Sequence, residues 1–218
     1  MEFDFSGIDF DFGLEDDKKE ETPKQEIKAE HRMGYRHFFR KASSEKALEN
    51  ALDWHFNDGD CYHCFSFVDV DAMTYFKHVL RQQRIKYAAI STWVISGEDV
   101  EELDRWHKRG MVGRVDFFIG EIFERQYPEA AAALQRFVRE CGGRYVVFRN
   151  HAKVMAILGE RFDCLIESSA NVNTNPRSEN TVLTVDSDLT KKYVKLFSEI
   201  VPFNKNPGAE PYRVSEQK

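Results

Sequence analysis

Between residues 151 and 179 the chain carries a group of side chains that suits chemistry at phosphorus. His151 and Lys153 come at the start of a predicted strand, where residues two apart share a face, so they project together. A lysine supplies fixed charge to phosphate oxygens, and a histidine can attack phosphorus or protonate a leaving alkoxide. Further polar residues that can bind the same oxygens or a histidine ring follow at Ser168, Ser169, Asn171, Asn173, Asn175, Arg177 and Glu179. These residues predict a phosphoryl-transfer centre.

Two spacings in this group match a known motif. His151-x-Lys153, followed by Ser169-x-Asn171, resembles the HKD motif of the phospholipase D superfamily. The resemblance extends over roughly residues 58 to 200, which is most of the chain after its acidic beginning.

A narrower likeness lies in what surrounds the motif. The stretch that starts at Thr92-Trp93 and runs through a helix opened by Pro128 resembles the single-motif phospholipase D-like proteins of phages and mobile elements. In those proteins the asparagine turn is followed by Asn-Pro-Arg and then a glutamate before a strand. This sequence matches that order with Asn175-Pro176-Arg177 and Glu179.

The resemblance implies a metal-independent phosphodiesterase, without cofactors, in which two such motifs meet around one phosphate. A chain with one copy must then form a C2 homodimer. One histidine forms a phosphohistidine while the other protonates the leaving oxygen. Carried over by position, His151 acts as nucleophile in one subunit and as general acid in the other, and Glu179 orients a histidine ring. Phosphate binding is implied for Lys153, Ser169, Asn171 and Arg177.

The sequence departs from the family pattern at one position. The motif aspartate is replaced by Leu158, and Glu160 and Asp163 lie nearby at a different spacing. The connection to Ser169 is also longer than usual. These differences keep open a second hypothesis, in which the fold is retained as a binding or regulatory module and the chemistry is lost.

The elements that position these residues alternate between helices and strands at first, and strands cluster later. Asp71, Ser96 and Pro128 are typical helix starts. Helices are predicted at about 44–56, 71–83, 96–110, 128–141 and 188–200. Strands are predicted at about 61–68, 85–93, 112–119, 144–148, 152–158, 162–167 and 181–185. This order predicts an α/β fold with a mixed sheet, an α/β/α phospholipase D-like half-domain.

Charge and composition divide the chain into four parts. Residues 1–31 hold eleven acids and four bases, a net charge of −7, whereas residues 32–218 hold 27 bases and 26 acids. We expect a disordered acidic and aromatic tail at 1–31 and basic entry helices at 32–57. The phospholipase D-like domain is expected at 58–201 and a flexible C-terminal tail at 202–218.

The tail contains a short repeat, in which Glu2-Phe3-Asp4-Phe5 recurs as Asp9-Phe10-Asp11-Phe12. Three interpretations remain open. The tail can be a solubilising leader, or a docking peptide whose phenylalanines fill pockets on a protein partner. It can also mimic a phosphate backbone and cover a basic site until substrate displaces it.

Other residues with chemical potential have simpler explanations. Cys61 and Cys64 suggest a zinc site, but in a strand they point to opposite faces, so packing as small apolar side chains is favoured. Trp93 and Trp106 are expected to anchor the core. The aromatic residues among the arginines of 32–41 can bind nucleic acid or pack the entry helix.

The sequence therefore carries two main function hypotheses: a homodimeric phosphodiesterase, most simply a nuclease, and a catalytically degenerate binding module. A structural protein of a phage or mobile element is a third, with little in the residues behind it. The expected partner is nucleic acid, with DNA favoured over RNA. The sequence has no run of 18 apolar residues, and acids stand at Glu2 and Asp4 where a secretory signal carries bases. The four cysteines are few for this length and are expected to be reduced thiols of a cytoplasmic protein. No interaction with membranes is expected.

Overall fold

The computed structural model describes residues 45–52, 55–66, 70–172 and 178–214. These residues form one seven-stranded sheet, in the order β1-β7-β6-β5-β2-β3-β4. Neighbours β2, β3 and β4 are parallel, and every other neighbouring pair is antiparallel. The strands are β1 Cys61–Ser66, β2 Ile85–Thr92, β3 Val112–Gly120, β4 Tyr145–Phe148, β5 Val154–Gly159, β6 Asp163–Ser168 and β7 Glu179–Val185. The predicted mixed-sheet α/β fold is confirmed.

The helices begin where the sequence signals place them. The Asp71 side chain accepts the Thr74 N–H at 2.8 Å, and the Ser96 hydroxyl accepts the Asp99 N–H at 3.2 Å. A four-residue helix before Pro128 was not predicted, because one turn is too short to show a periodic pattern. The described helices are α1 45–51, α2 Ala72–Gln82, α3 Gly97–Lys108, α4 Phe123–Gln126, α5 Pro128–Glu140 and α6 Ser187–Ser198.

Helices cover both faces of the sheet. Successive side chains of a strand point to opposite sides, and here both sides carry apolar residues. On β3, Phe117 belongs to the core that includes apolar residues of α2, α3 and α5. The next residue, Phe118, belongs to a second, smaller core with Val194 and Phe197 of α6. The two cores produce the α/β/α layering.

The segment after α6 differs from the flexible tail expected at 202–218. The Phe203 N–H and the Asn204 side-chain oxygen and nitrogen bond the backbone of β4 at 2.7 to 2.9 Å. Further along, the Tyr212 ring stacks on the buried Tyr87 with centroids 3.7 Å apart. No local pattern in this segment predicts the packing, because Asn, Pro and Lys are typical of loops. The segment covers the outer edge of β4.

The cysteines lie as the strand argument predicts. Burial alternates along β1, so Cys61 and Cys64 occupy opposite faces, and both are free thiols. Cys141 and Cys164 are also free and are buried in the core. Cys61 is exposed, so the expectation that it packs as a small apolar side chain is wrong. Within the described residues, no three histidine, cysteine or carboxylate side chains are grouped so that they could hold a metal ion.

Two expectations concern residues outside the described ranges: the acidic tail at 1–31 and the basic stretch at 32–41. Of the helices that are described, none is both long enough and apolar enough to cross a membrane.

Candidate functional site

The first motif lies on a loop that crosses the edge of the sheet. Strands β4 and β5 are consecutive in sequence, but β3 and β2 lie between them, so residues 149–153 pass over the C-terminal ends of both. His151 and Lys153 lie on this loop, and β5 begins only at Val154. The Lys153 Nζ lies 3.3 Å from His151 Nδ1 and donates to the His151 carbonyl at 2.7 Å. The two side chains therefore meet, although through a loop rather than through a shared strand face.

Asn150 fixes the crossing loop to the sheet. Its side-chain nitrogen lies 2.9 Å from Ser91 Oγ, 3.3 Å from the Thr92 carbonyl and 2.8 Å from the Phe118 carbonyl. Its side-chain oxygen accepts the Ala152 N–H at 2.9 Å. Because Asn150 is buried and flanks His151, its bonds to β2 and β3 determine where the histidine backbone lies. The sequence did not point to Asn150, because its partners lie on β2 and β3, far away in the chain. Which strands the loop crosses cannot be read from a local pattern.

The second motif lies where β6 ends and β7 begins, at the same edge of the sheet. The Ser169 hydroxyl donates to the carboxylate of Glu179, the first residue of β7, and accepts the Asn180 N–H at 2.9 Å. The Ser168 N–H donates to the Lys153 carbonyl at 2.9 Å. Pairing of β5 with β6 thus brings Lys153, Ser169 and Glu179 to one edge of the sheet.

Asn171 lies one step further along the same turn. Its backbone carbonyl accepts the Ala72 N–H at the start of α2 at 3.3 Å. Its side-chain oxygen is buried and accepts no hydrogen bond from the described residues. The next N–H, that of Val172, donates to Thr92 Oγ1 at 3.3 Å. Thr92 at the end of β2 therefore supports the asparagine turn, just as neighbouring Ser91 supports the histidine loop.

Burial and a neighbouring charge shift the pKa of Lys153 in opposite directions. Partial burial lowers the pKa of Lys153 below its ordinary value of 10.5, and attraction to the Glu179 carboxylate partly offsets that effect. The net direction is downward, so this amine loses its proton more readily than a lysine in water. The Lys153 amine thus lies next to an imidazole and within the field of a carboxylate, and a cation held in this way can bind an anion.

Trp93 packs against the core, as expected, and its half-buried ring also lies beside the histidine. Its ring centroid is 5.2 Å from that of His151, with the planes inclined by 48°. Together with Glu121, Ile122, Arg149 and Asn150, these two residues line a cavity of about 410 Å³. Trp93 follows β2 directly in the sequence. Side chains at the ends of parallel strands often face a site, so this position indicates that Trp93 can line one.

Leu158, which replaces the motif aspartate, lies far from this centre. It is four residues along β5 from Val154, about 13 Å in an extended strand, and is buried against α6 with Leu165. Its cross-strand partner is Asp163, whose carboxylate accepts the Gly159 N–H at 3.1 Å and the Ser187 hydroxyl at 2.6 Å. The difference at 158 therefore changes the packing under α6 and leaves the histidine loop untouched.

Arg177, the remaining candidate, lies outside the described residues, as do Asn173 and Asn175. Of the other five candidates, the structure joins His151 to Lys153 and Ser169 to Glu179, and it links the two pairs through the backbone of β5 and β6. Asn171 follows on the same turn.

Comparison with known proteins gives evidence for the fold. No family model matches the sequence, and no curated protein matches it. The structure is similar to polyphosphate kinase from Porphyromonas gingivalis, with a TM-score of 0.50 and 16% identity over 68% of this chain and 27% of that one. The chain thus spans about a quarter of that kinase. It also matches TrmBL2, an archaeal chromatin protein, with a TM-score of 0.45 and 9% identity over 76% of this chain and 61% of that one.

At 16% identity the likeness to the kinase concerns the fold alone. The residues of the site, and not the likeness, must carry any statement about function.

Proposed function

We propose that this protein is a metal-independent phosphodiesterase that cleaves nucleic acid as a C2 homodimer. The observation that carries the proposal is the meeting of two pairs at one sheet edge: Lys153 with His151, and Ser169 with Glu179. A fixed cation, an imidazole and a hydroxyl held by a carboxylate are the groups that phosphodiester cleavage needs when no metal takes part.

In the proposed first step, His151 Nε2 forms a bond to phosphorus and the bond from phosphorus to the leaving oxygen breaks. His151 of the partner subunit gives that oxygen its proton. A water molecule then loses a proton to the same partner histidine and attacks phosphorus, which breaks the phosphorus–nitrogen bond. The enzyme returns to its starting state with one diester hydrolysed by one water.

In this cycle Lys153 has two partners in turn: His151 Nδ1 before substrate binds, and the phosphate oxygens afterwards. A charged Lys153 that donates to Nδ1 places the imidazole proton on Nε2, the nitrogen that must attack. When a phosphate binds, the lysine amine moves to its oxygens and Nδ1 can take the proton. Glu179 is the carboxylate proposed to hold that proton and the ring, and its charge already acts on Lys153.

The dimer is part of the proposal because a single chain carries one motif. In a phospholipase D-like centre each phosphate needs two histidines, so the second His151 has to come from another copy. Two His151 rings must then lie within roughly 6 Å of one phosphate-sized pocket, the reach that attack and protonation from two sides require.

The direct test incubates wild type and His151→Ala with single- and double-stranded DNA and with RNA, in EDTA. Cleavage by wild type and its loss in the variant are expected. A wild-type protein that cuts none of these substrates, or a variant that cuts equally well, would show that no such catalysis occurs here. Acid trapping of a phosphorylated wild-type chain, absent from the variant, would identify the intermediate.

Mixing the two proteins tests whether the centre is shared. If each centre needs His151 from both subunits, an equal mixture after subunit exchange keeps about a quarter of the activity of the same total amount of wild type, because only wild-type pairs are active. A centre contained in one chain keeps about half. Sedimentation at the assay concentration reports whether a dimer is present.

A binding module without catalysis is the second candidate, and the single motif with Leu158 favours it. In that case DNA binds with strong dependence on salt and is not cut. Cleavage that depends on His151 would exclude it.

A further inference from the structure

The cavity beside Trp93 extends the phosphate centre in a direction that the phosphodiester chemistry does not use. We propose that it binds one unpaired nucleobase next to the scissile phosphate, so that the protein takes single-stranded rather than duplex nucleic acid. This inference rests on the proposed function for its biological meaning, but it concerns a binding event that can be measured separately.

The indole of Trp93 is held in place from behind. Gly120, at the end of β3, has no side chain, and a Cβ there would come within 2.7 Å of the Trp93 Cδ1 and 3.0 Å of the Asn150 carbonyl. The ring therefore rests against the backbone of β3 while staying half-buried. An aromatic ring that is already oriented loses little side-chain freedom when a flat ligand stacks on it.

The strand order places this cavity beside the phosphate groups. Lys153 leads into β5, Ser169 follows β6 and Glu179 begins β7, whereas Trp93 and Gly120 end β2 and β3 on the other side. His151 lies between, in contact with both Lys153 and Trp93. The distance from β5 to β3 is two strand spacings, about 10 Å. A nucleotide with its phosphate at Lys153 can thus place its base across His151 towards Trp93.

The lining suits a base better than other groups attached to a phosphate. Every nucleobase has a π-face that stacks on an aromatic ring, and the exposed guanidinium of Arg149 can stack as well or hold the next phosphate. The exposed Glu121 supplies an acceptor for amino groups on the edge of a base. A base within a duplex keeps its stacking and pairing partners and cannot enter, which makes the cavity selective for single strands. An inorganic polyphosphate has no π-face and gains nothing from stacking on the ring.

Equilibrium binding to fluorescent oligonucleotides tests the inference. Measurements use a Glu179→Gln background, which slows turnover and does not line the cavity, with Trp93→Ala, Trp93→Phe and Trp106→Phe added separately. The probes are a single strand, the same strand built of abasic residues, and the duplex. Trp106 is the matched control, since its ring packs on Phe76 with centroids 5.9 Å apart.

Trp93→Ala is expected to weaken binding of the normal strand by about 5- to 100-fold, the range for loss of one stacked base. Binding of the abasic strand should stay unchanged, Trp93→Phe should restore most of the loss, and Trp106→Phe should have no effect. Equal weakening for the abasic strand would overturn the inference, because Trp93 would then act on the loop. So would duplex binding as tight as that of the single strand.

These outcomes separate the inference from the proposed phosphodiesterase. Failure of wild type to cleave the normal strand, with base-dependent binding intact, contradicts the enzyme and leaves the base subsite. Cleavage of normal and abasic strands at the same KM contradicts the subsite and leaves the enzyme.

Discussion

The Ser169 hydroxyl donates a hydrogen bond to the carboxylate of Glu179, ten residues further along the chain, and accepts the N–H of Asn180 at 2.9 Å. The bond joins the end of β6 to the start of β7. It places a carboxylate whose charge acts on Lys153 at the edge of the sheet that carries the histidine loop.

Glu179→Gln keeps the size of the side chain and an acceptor for Ser169 but removes the charge. If the carboxylate stabilises an imidazolium in the transition state, kcat should fall by roughly 10²-fold, with a smaller change in KM. Steady-state cleavage of a fluorogenic oligonucleotide measures both constants. Glu160→Gln is the control, because that exposed residue follows β5 at the opposite end of the sheet. An unchanged kcat in Glu179→Gln would remove Glu179 from the mechanism.

Lys153 should limit activity on the alkaline side. Its pKa is lowered by burial, so the charged form is lost, and the rate falls, at a pH below the ordinary 10.5. Lys153→Arg should move this limb to higher pH, because a guanidinium stays charged. Glu179→Gln should move it to lower pH, since the carboxylate holds the pKa up. The pH dependence of kcat/KM measures all three, and the exposed Lys192→Arg serves as control.

The same pKa has a consequence for stability with a definite sign. Between the folded-state pKa and 10.5 the unfolded chain binds more protons at this lysine than the folded chain does, so the contribution of Lys153 to the free energy of unfolding rises with pH. Lys153→Met should flatten that rise in urea unfolding curves measured across the range. A rise of equal slope in the variant would assign it to other groups.

Asn150→Ala should lower both activity and stability. The substitution leaves the carbonyls of Thr92 and Phe118 and the Ala152 N–H without this partner, at a cost of about 1–3 kcal/mol for a buried polar group. Loss of the anchor also releases His151, so kcat should fall more than the fraction unfolded explains. Thermal unfolding and cleavage are compared with the exposed Asn57→Ala. Normal kcat in a folded Asn150→Ala protein would contradict its positioning role.

Gly120→Ala adds one methyl group where the Trp93 ring and the Asn150 carbonyl leave no room. Either the indole or the histidine loop has to shift, so binding of single strands should weaken while the fold persists. Gly97→Ala is a close control, because a Cβ at Gly97 meets nothing within 4 Å. The chain has three tryptophans, so Trp93 fluorescence is read in a Trp54→Phe/Trp106→Phe background. Its maximum should change in Gly120→Ala and not in Gly97→Ala.

Asn204→Ala examines the segment over β4. It removes a hydrogen bond to the Val147 N–H at 2.9 Å and one from its side-chain nitrogen to the Tyr145 carbonyl at 2.8 Å. We expect about 1–2 kcal/mol less stability in urea unfolding, and more aggregation near the unfolding midpoint as the strand edge opens. The exposed Asn206→Ala should behave as wild type. Equal stability of both variants would show that the edge is held by other contacts.

The helices and strands were largely readable from the sequence, because their signals are local. Asp71 and Ser96 cap the helices that they were expected to cap, and Pro128 opens α5. The strand order was not readable, since β5 leaves β4 and inserts beside β2, and no local pattern shows which strands will be neighbours.

The site shows the same division. The types and spacing of His151 and Lys153 and of Ser169 and Glu179 predict a phosphoryl centre, and the structure places the members of each pair in contact. Asn150 was passed over, because its role depends on strands that the loop crosses. Trp93 was expected to anchor the core and does pack against it, but its contact with His151 was not predicted, because that contact depends on the loop that crosses β2.

The loop that crosses two strands also determines when the centre can form. Asn150 joins Ser91 across 59 residues and Thr92 joins Val172 across 80, so both motifs depend on contacts of high sequence separation. Such contacts close late, after local helices and turns have formed. A refolding chain should therefore regain its helical circular dichroism before it regains the histidine centre, and recovery of activity reports completion of the whole sheet.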